Sequence, residues 1–151
     1  IHDVDFVQYL FGKPAAVTSS GFIGRNGVVE YLHTQYCFDR RRMAISAESG
    51  WLSQSACPFE HGYDAYFEHA TLKFNSSSGR PPQLLTRDGK TRRPRLSARD
   101  GFVAELQEAV DSVRVGKQSR IIGGQSARNS IAICLKEIEA AKKGRRIRIP
   151  E

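Results

Sequence analysis

The sequence predicts an α+β fold, with helices set apart from a run of antiparallel strands. Apolar residues recur at helical spacing only near the two ends of the chain, in residues 1–12 and again from Ser97 to Gly144. Between them, period-two alternation and turn-forming pairs dominate, the pattern of consecutive short strands. A short alternating segment, Arg145 to Pro150, adds a last strand. No G-x-G-x-x-G follows a strand and no internal repeat is present, so the pattern does not point to a doubly wound dinucleotide-binding sheet.

The first helix spans Ile1 to Phe11, where Phe6, Val7, Leu10 and Phe11 form an apolar stripe. Gly12 is expected as a left-handed cap and Pro14 as a stop. Pro14 to Ile23 is β-rich, with Gly21 and Gly24 as breakers, and Asn26-Gly27 signals a turn into a second run, Val28 to Phe38. The polar turn 39–42 ends that run. Met43 to Ala56 alternates again, and the Ser-Gly pair before Trp51 suggests a bend. After a loop at Cys57 to Gly62, Tyr63 to Phe74 reads as a fourth strand with Tyr66, Ala70, Leu72 and Phe74 on one side. Asn75 to Pro82 is a loop. Gln83 to Thr86 and Thr91 onward form a hairpin around Asp88-Gly89, a pair suited to a primed turn. Ser97-Ala98-Arg99-Asp100 has the form of a capping box, with Asp in place of Glu. The helix after it presents Phe102, Val103, Leu106, Val110 and Val113 on one face and stops at Gly116. Gly123-Gly124 precedes a longer helix whose predicted buried stripe is Ala127, Ile131, Cys134, Leu135, Ile138 and Ala141. Lys142 and Lys143 suit the negative end of its dipole, and Gly144 caps it. Ile147 and Ile149 should point inward.

At 151 residues, with 40% hydrophobic and 26% charged, the chain is expected to be one domain with its own core. No apolar run approaches the ~20 residues of a membrane helix, and no signal-peptide pattern is read, so a cytoplasmic protein without a membrane partner is expected. The helical pattern already running at Ile1 reads as a fragment or processed product. Cys37, Cys57 and Cys134 are odd in number and lack C-x-x-C, which argues against a disulfide framework or zinc site and for buried thiols in a reducing compartment. Cys57 and His61 stand four apart, but two ligands make no metal site. The net charge of +7 is concentrated in Arg40-Arg41-Arg42, Lys90 to Arg99 and Lys142 to Arg148. The middle stretch has no aromatic residue and is broken by Pro94, and no nucleic-acid motif is present, so solvated loops and helix ends account for the charge better than a nucleic-acid partner. An anionic substrate or a cofactor phosphate could also use it.

Chemistry concentrates in the first helix. His2 and Asp5 stand three apart and so share a face. An imidazole can exchange a proton near neutral pH, and a carboxylate beside it can orient the ring or hold a substrate hydroxyl. From the spacing alone, the polar face of an ordinary helix start is the better account. His33, His61 and His69 are weaker candidates: His33 and His69 fall within predicted strands, and His61 in a loop.

The residues say more than the spacing. His-Asp-Val-Asp-Phe-Val-Gln-Tyr-Leu-Phe-Gly-Lys-Pro resembles the H-x-x-D segment that opens the C-terminal domain of the glucose–fructose oxidoreductase / inositol dehydrogenase / MocA (Gfo/Idh/MocA) family. Ala65 to Phe74 is similar to a strand of these enzymes. Phe102 to Gly116 and Ala127 to Ile149 are similar to their closing helices and last strand. The resemblance implies an open, mostly antiparallel sheet with helices on one face and the other face available for substrate and oligomer contacts. It makes residues 1–151 a single substrate-binding and oligomerisation domain, and the family's N-terminal Rossmann domain, which carries NAD or NADP and a Lys-Pro lysine, is not in this chain. His2 matches the family's catalytic histidine and Asp5 the carboxylate that follows it. The family's earlier Asp, four residues before that histidine, has no counterpart here. By this resemblance His2 is the base or proton relay for an alcohol whose hydride leaves to the cofactor, and Asp5 holds a substrate hydroxyl or the ring. The implied partners are a sugar- or polyol-like small molecule and a second copy of the chain. No cofactor is expected on this chain alone, which should be inactive by itself. A sugar- or protein-binding regulator on the same fold is the alternative.

Overall fold

The computed structural model describes residues 1–39, 43–52 and 54–150. The predicted Arg40-Arg41-Arg42 cluster lies outside the described residues. Three helices are present among them: α1 (His2–Phe11), α2 (Gly101–Val115) and α3 (Gly124–Lys143). The strands are β1 (Ala16–Ile23), β2 (Val29–Cys37), β3 (Ile45–Gly50), β4 (Gly62–Tyr66), β5 (Ala70–Asn75), β6 (Gln83–Thr86), β7 (Thr91–Arg92) and β8 (Ile147–Arg148). They form two open antiparallel sheets, ordered β3-β2-β1-β8 and β4-β5-β6-β7. The α+β class is as the sequence predicts, with the strands divided between two sheets. The chain packs as two compact units, Ile1–Leu52 with Gly101–Glu151, and Ser53–Asp100.

In the first unit, register fixes which residues share a face. Val17 lies opposite Tyr36 and Ser19 opposite Thr34; across the next pairing Thr34 meets Ala47 and Tyr36 meets Ile45. Helices α1 and α3 cover this face. Val4 and Val7 of α1, Ile133 and Ala140 of α3, and Ile147 and Ile149 join Val17 and Tyr36 in one core. Each fully buried Val or Ile contributes about 1.5–3 kcal/mol relative to exposure. The other face carries Thr18, Ser20, Phe22, His33 and Gln35, all exposed. Glycine at position 21 does not break β1. It pairs with Leu32, and a Cβ there would stand 2.0 Å from the Tyr31 carbonyl oxygen, so the strands approach too closely for a side chain.

The core is not purely apolar. Ser19 Oγ and Thr34 Oγ1 share a hydrogen bond of 2.8 Å, and the Tyr36 hydroxyl donates to Glu137 Oε1 at 2.6 Å. Burial pushes the Glu137 carboxyl above its ordinary value, against the opposing hydrogen bonds from Tyr36 and Thr34. Burial, and then the neighbouring Glu137, push the Tyr36 phenol up as well.

This pairing corrects the predicted α3 stripe. Ile131 and Leu135 are 52% and 61% exposed, while Ser130, Ile133, Glu137 and Ala140 are buried. The helix is turned so that Glu137 meets the Tyr36 hydroxyl of β2 and Ile133 joins the apolar core. In α1 likewise the buried residues are Val4, Val7 and Gln8, with Phe6 and Leu10 exposed. Gly12 closes α1 with its N–H on the Gln8 carbonyl, but at φ 82° and ψ −174°. That is a glycine conformation outside the left-handed helical well, and it sends the chain straight into the extended Lys13-Pro14 run. Helix α2 starts at Gly101, later than the capping-box pattern implies, because Ser97 Oγ accepts from Arg99 N–H and closes a local turn instead. No residue of α2 is buried, and Phe102 and Val113 are 77% and 82% exposed.

In the second unit, Tyr63 to Phe74 is not one strand but the hairpin β4–β5, reversing through Phe67-Glu68-His69. Tyr63 lies opposite Phe74 and Ala65 opposite Leu72, so the half-buried side holds these four, and Tyr66 is on the exposed side. His69 lies in this reversal, outside the strands. The β6–β7 hairpin closes without a primed turn. Gly89 takes φ 76°, but among the described residues no non-glycine has positive φ, so Asp88 keeps a negative φ. The four-residue connection, 87–90, needs only one left-handed position. The Asp88 carboxylate accepts from the Thr86 hydroxyl and the Lys90 N–H, and the Thr86 bond is the main cause of its lowered pKa. The predicted Asn75–Pro82 loop contains a short 3-10 turn, Ser76–Ser78, capped by Asn75.

Candidate functional site

His2 is the first residue of α1 and is exposed. Asp3 and Asp5 occupy the same first turn, where carboxylates favour the positive end of the helix dipole. The side-chain hydrogen bonds of the described residues include none between His2 and Asp5. The structure instead commits one oxygen of Asp5 to α3: Ser130 Oγ donates to Asp5 Oδ1 at 2.7 Å.

That bond ends a chain of three side chains. Gln8 Nε2 donates to Ser130 Oγ at 2.9 Å, and also to Ser126 at its carbonyl oxygen (3.1 Å) and its Oγ (3.2 Å). The Ser126 carbonyl can only accept, so the amide must turn its NH2 group toward α3. Gln8 Oε1 is then left buried without a partner. An unsatisfied buried acceptor costs about 1–3 kcal/mol, offset here by three donated contacts. Gln8, Ser126 and Ser130 were not foreseen as site residues. Gln8 stands three after Asp5, as Asp5 stands three after His2, and Ser126 and Ser130 are four apart. Helical spacing puts each set on one face of its own helix, but nothing in the sequence joins the two faces.

Hollows in this unit, among the described residues, include two of interest. One, about 20 Å3, sits under the start of α1 among Ile1, Asp3, Thr34, Tyr36 and Glu137, and is too small for a sugar. The other, about 390 Å3 and open, lies between the end of α2 and the start of α3, lined by Val113, Lys117, Ser119, Ile122 and Gly123. Neither is lined by His2 or Asp5.

The remaining candidates are scattered. His33 is exposed on β2. His61 packs its ring against Phe59 and Phe74 at centroid distances of 5.8 and 5.6 Å, a structural contact. His69 stands 3.7 Å from Glu68. Cys37 and Cys134 are half-buried thiols, but Cys57 is exposed, contrary to expectation, because its loop lies outside both sheets. Basic residues find local carboxylates. Lys136 and Lys143 each reach Glu139 at 2.7 Å and pull its pKa down to about 2, and Arg146 stands 3.9 Å from Asp39. Among the described residues no group of three metal-ligating side chains converges, and no helix is long and apolar enough to cross a membrane.

Gly123 does not open a phosphate cradle. The Gly123-Gly124 pair after Ile121-Ile122 packs on its own loop: a Cβ at Gly123 would lie 2.3 Å from the Ser119 carbonyl oxygen. That glycine admits backbone, where a phosphate cradle would leave space for a ligand.

No protein-family model matches the chain, and no curated protein sequence does. Solved structures do. Levoglucosan dehydrogenase in complex with NADH superposes at a TM-score of 0.77 with 15% identity, over 99% of this chain and 48% of that one. Aldose-aldose oxidoreductase from Caulobacter crescentus, complexed with glycerol, gives 0.76 and 17%, over 97% and 45%. UDP-N-acetylglucosamine 3-dehydrogenase from Acidithiobacillus ferrooxidans gives 0.76 and 12%, over 94% and 45%. The chain therefore spans about half the length of these oxidoreductases and has the fold of that half.

Proposed function

We propose that this chain is the substrate-binding and oligomerisation half of an NAD- or NADP-dependent oxidoreductase of the Gfo/Idh/MocA type, acting on a sugar, polyol or related carbonyl compound. The observation that carries the reading is the fold likeness over nearly the whole chain to one half of enzymes that act on such compounds. The H-x-x-D segment supports it from within: it forms the first turns of α1, with His2 exposed and Asp5 anchored. The dinucleotide is bound mainly by the other half of the parent, where the family carries its Rossmann domain. His2 takes the proton of the substrate hydroxyl. Asp5 accepts a second substrate hydroxyl or holds the His2 ring. The pocket is completed by the other half, in keeping with an open surface at His2. The uncovered face of the first sheet suits self-association, so the parent is a homo-oligomer; a clean monomer by sedimentation would count against that part.

The test is to express the longer chain encoded with this one and assay it with NAD and NADP against a panel of sugars and polyols. Turnover is expected, and His2→Ala should lower kcat by about 10²–10⁴-fold, the usual worth of a general base. A longer chain that binds sugars without turning them over would favour the regulator instead.

A further inference from the structure

We infer that Ser130, polarised by Gln8, is a positioning residue that locks the Asp5 carboxylate so that Oδ2 is the oxygen presented to substrate. The inference rests on the reading of Asp5 as the carboxylate that holds a substrate hydroxyl.

The argument is one of proton direction. A serine inside a helix ordinarily turns its hydroxyl back to the carbonyl four residues earlier. For Ser130 that carbonyl belongs to Ser126. Gln8 Nε2 already donates to it, at 3.1 Å, and donates to Ser130 Oγ at 2.9 Å. Both the local acceptor and one lone pair of the hydroxyl are therefore engaged. The single Ser130 proton points to Asp5 Oδ1, 2.7 Å away. Gln8 cannot reverse the sequence by flipping its amide, because the flip would set its oxygen against the Ser126 carbonyl. The whole chain, Gln8 to Ser130 to Asp5, thus runs one way and ends on a carboxylate. Ser130 is 1% exposed and Gln8 9%, so the two donors are shielded from water, while Asp5 itself is exposed. One oxygen of Asp5 is held from behind, and the other is left toward solvent on the turn that carries His2. Charge-assisted bonds of this kind are stronger than neutral ones, and a bond made by a buried, fixed donor orients a carboxylate before substrate arrives.

The experiment has two arms. In the 151-residue chain, the Hα–Hβ couplings of Asp5 are measured by NMR. Wild-type should show the unequal pair of one χ1 rotamer. Ser130→Ala, which puts the best helix former into a helix interior, should fold and show averaged couplings. Ser130→Cys, which keeps the volume and a weaker donor, should fall between them, as should Gln8→Leu. Unchanged couplings in Ser130→Ala overturn the inference. In the longer chain, Ser130→Ala should raise KM for the polyol by about tenfold with a smaller change in kcat, the pattern of lost positioning. If the couplings average but KM and kcat stay at wild-type while His2→Ala is inactive, the inference fails and the functional reading stands. If His2→Ala is as active as wild-type, it is the functional reading that fails, and with it the role of Oδ2.

Discussion

Helices α2 and α3 carry similar apolar stripes in sequence and meet opposite fates. Helix α3 buries a face of Ser130, Ile133, Glu137 and Ala140 against the first sheet, two of them polar. Helix α2 buries nothing, although Phe102, Leu106, Val110 and Val113 are its larger apolar side chains. A stripe shows that a helix has a face that burial would favour. Which face is buried depends on what lies opposite. Opposite α3, the hydroxyls of Thr34 and Tyr36 stand among Val17 and Ala47, and although Thr34 already pairs with Ser19, a helix that offered only aliphatic groups there would leave the Tyr36 hydroxyl without its partner. The face with Glu137 satisfies the Tyr36 hydroxyl, and Ile133 supplies the apolar contact. Ile131 and Leu135 are exposed as a result.

The comparison breaks most visibly at Ile133 of α3, which is fully buried in the core shared with α1 and the sheet. Ile133→Ala should cost about 2–5 kcal/mol, measured by denaturant unfolding, since deletion of a buried aliphatic group adds a cavity cost to the lost transfer energy. A cost below that range would mean that α3 is held by its polar pairs more than by its core.

Tyr36→Phe comes next. It removes the donor from a buried carboxyl group and leaves Glu137 Oε1 without it, for a loss of about 1–3 kcal/mol. The same pair gives a pH dependence of known sign. The folded pKa of Glu137 is raised above its ordinary value of 4.5, so the protonated form suits the fold. Its contribution is complete below that ordinary value and is lost as pH rises through the folded one. Glu139 and Asp88 act in the opposite sense, with lowered pKa values, so the effect is read as a difference. Wild-type stability minus that of Glu137→Gln should fall as pH is raised from about 4.5 toward neutrality. A flat difference would place Glu137 in water.

Much of the fold was legible in the sequence. Both helical ends, the order of strands and the inward Ile147 and Ile149 follow from period and turn chemistry alone. The rotations of α1 and α3 were not. Periodicity weights apolar residues, and in both helices the contact face includes polar residues, Gln8, Ser130 and Glu137, whose burial is stable only because each finds a partner more than a hundred positions away. Nothing local announces such a partner. The β4–β5 reversal was missed for another reason: Phe67-Glu68-His69 contains no glycine, proline or asparagine to mark a turn. Of the candidate site, His2 and Asp5 were named from the H-x-x-D pattern. The Gln8–Ser130 support was invisible because its two halves lie at opposite ends of the chain.

The smallest effect belongs to α2. Leu106 is exposed, as are Val110 and Val113 beyond it. Leu106→Ser should therefore change the stability of this chain by no more than about 0.5 kcal/mol, the range for surface positions without special contacts. Serine is a slightly poorer helix former than leucine, which sets the sign as a small loss. Set against Ile133→Ala, the pair measures directly how differently two amphipathic helices of one chain are used. Repeating Leu106→Ser in the proposed longer parent sharpens the contrast. A cost that stays small there means α2 remains exposed, and a cost that rises toward that of Ile133→Ala means that the longer chain covers this face.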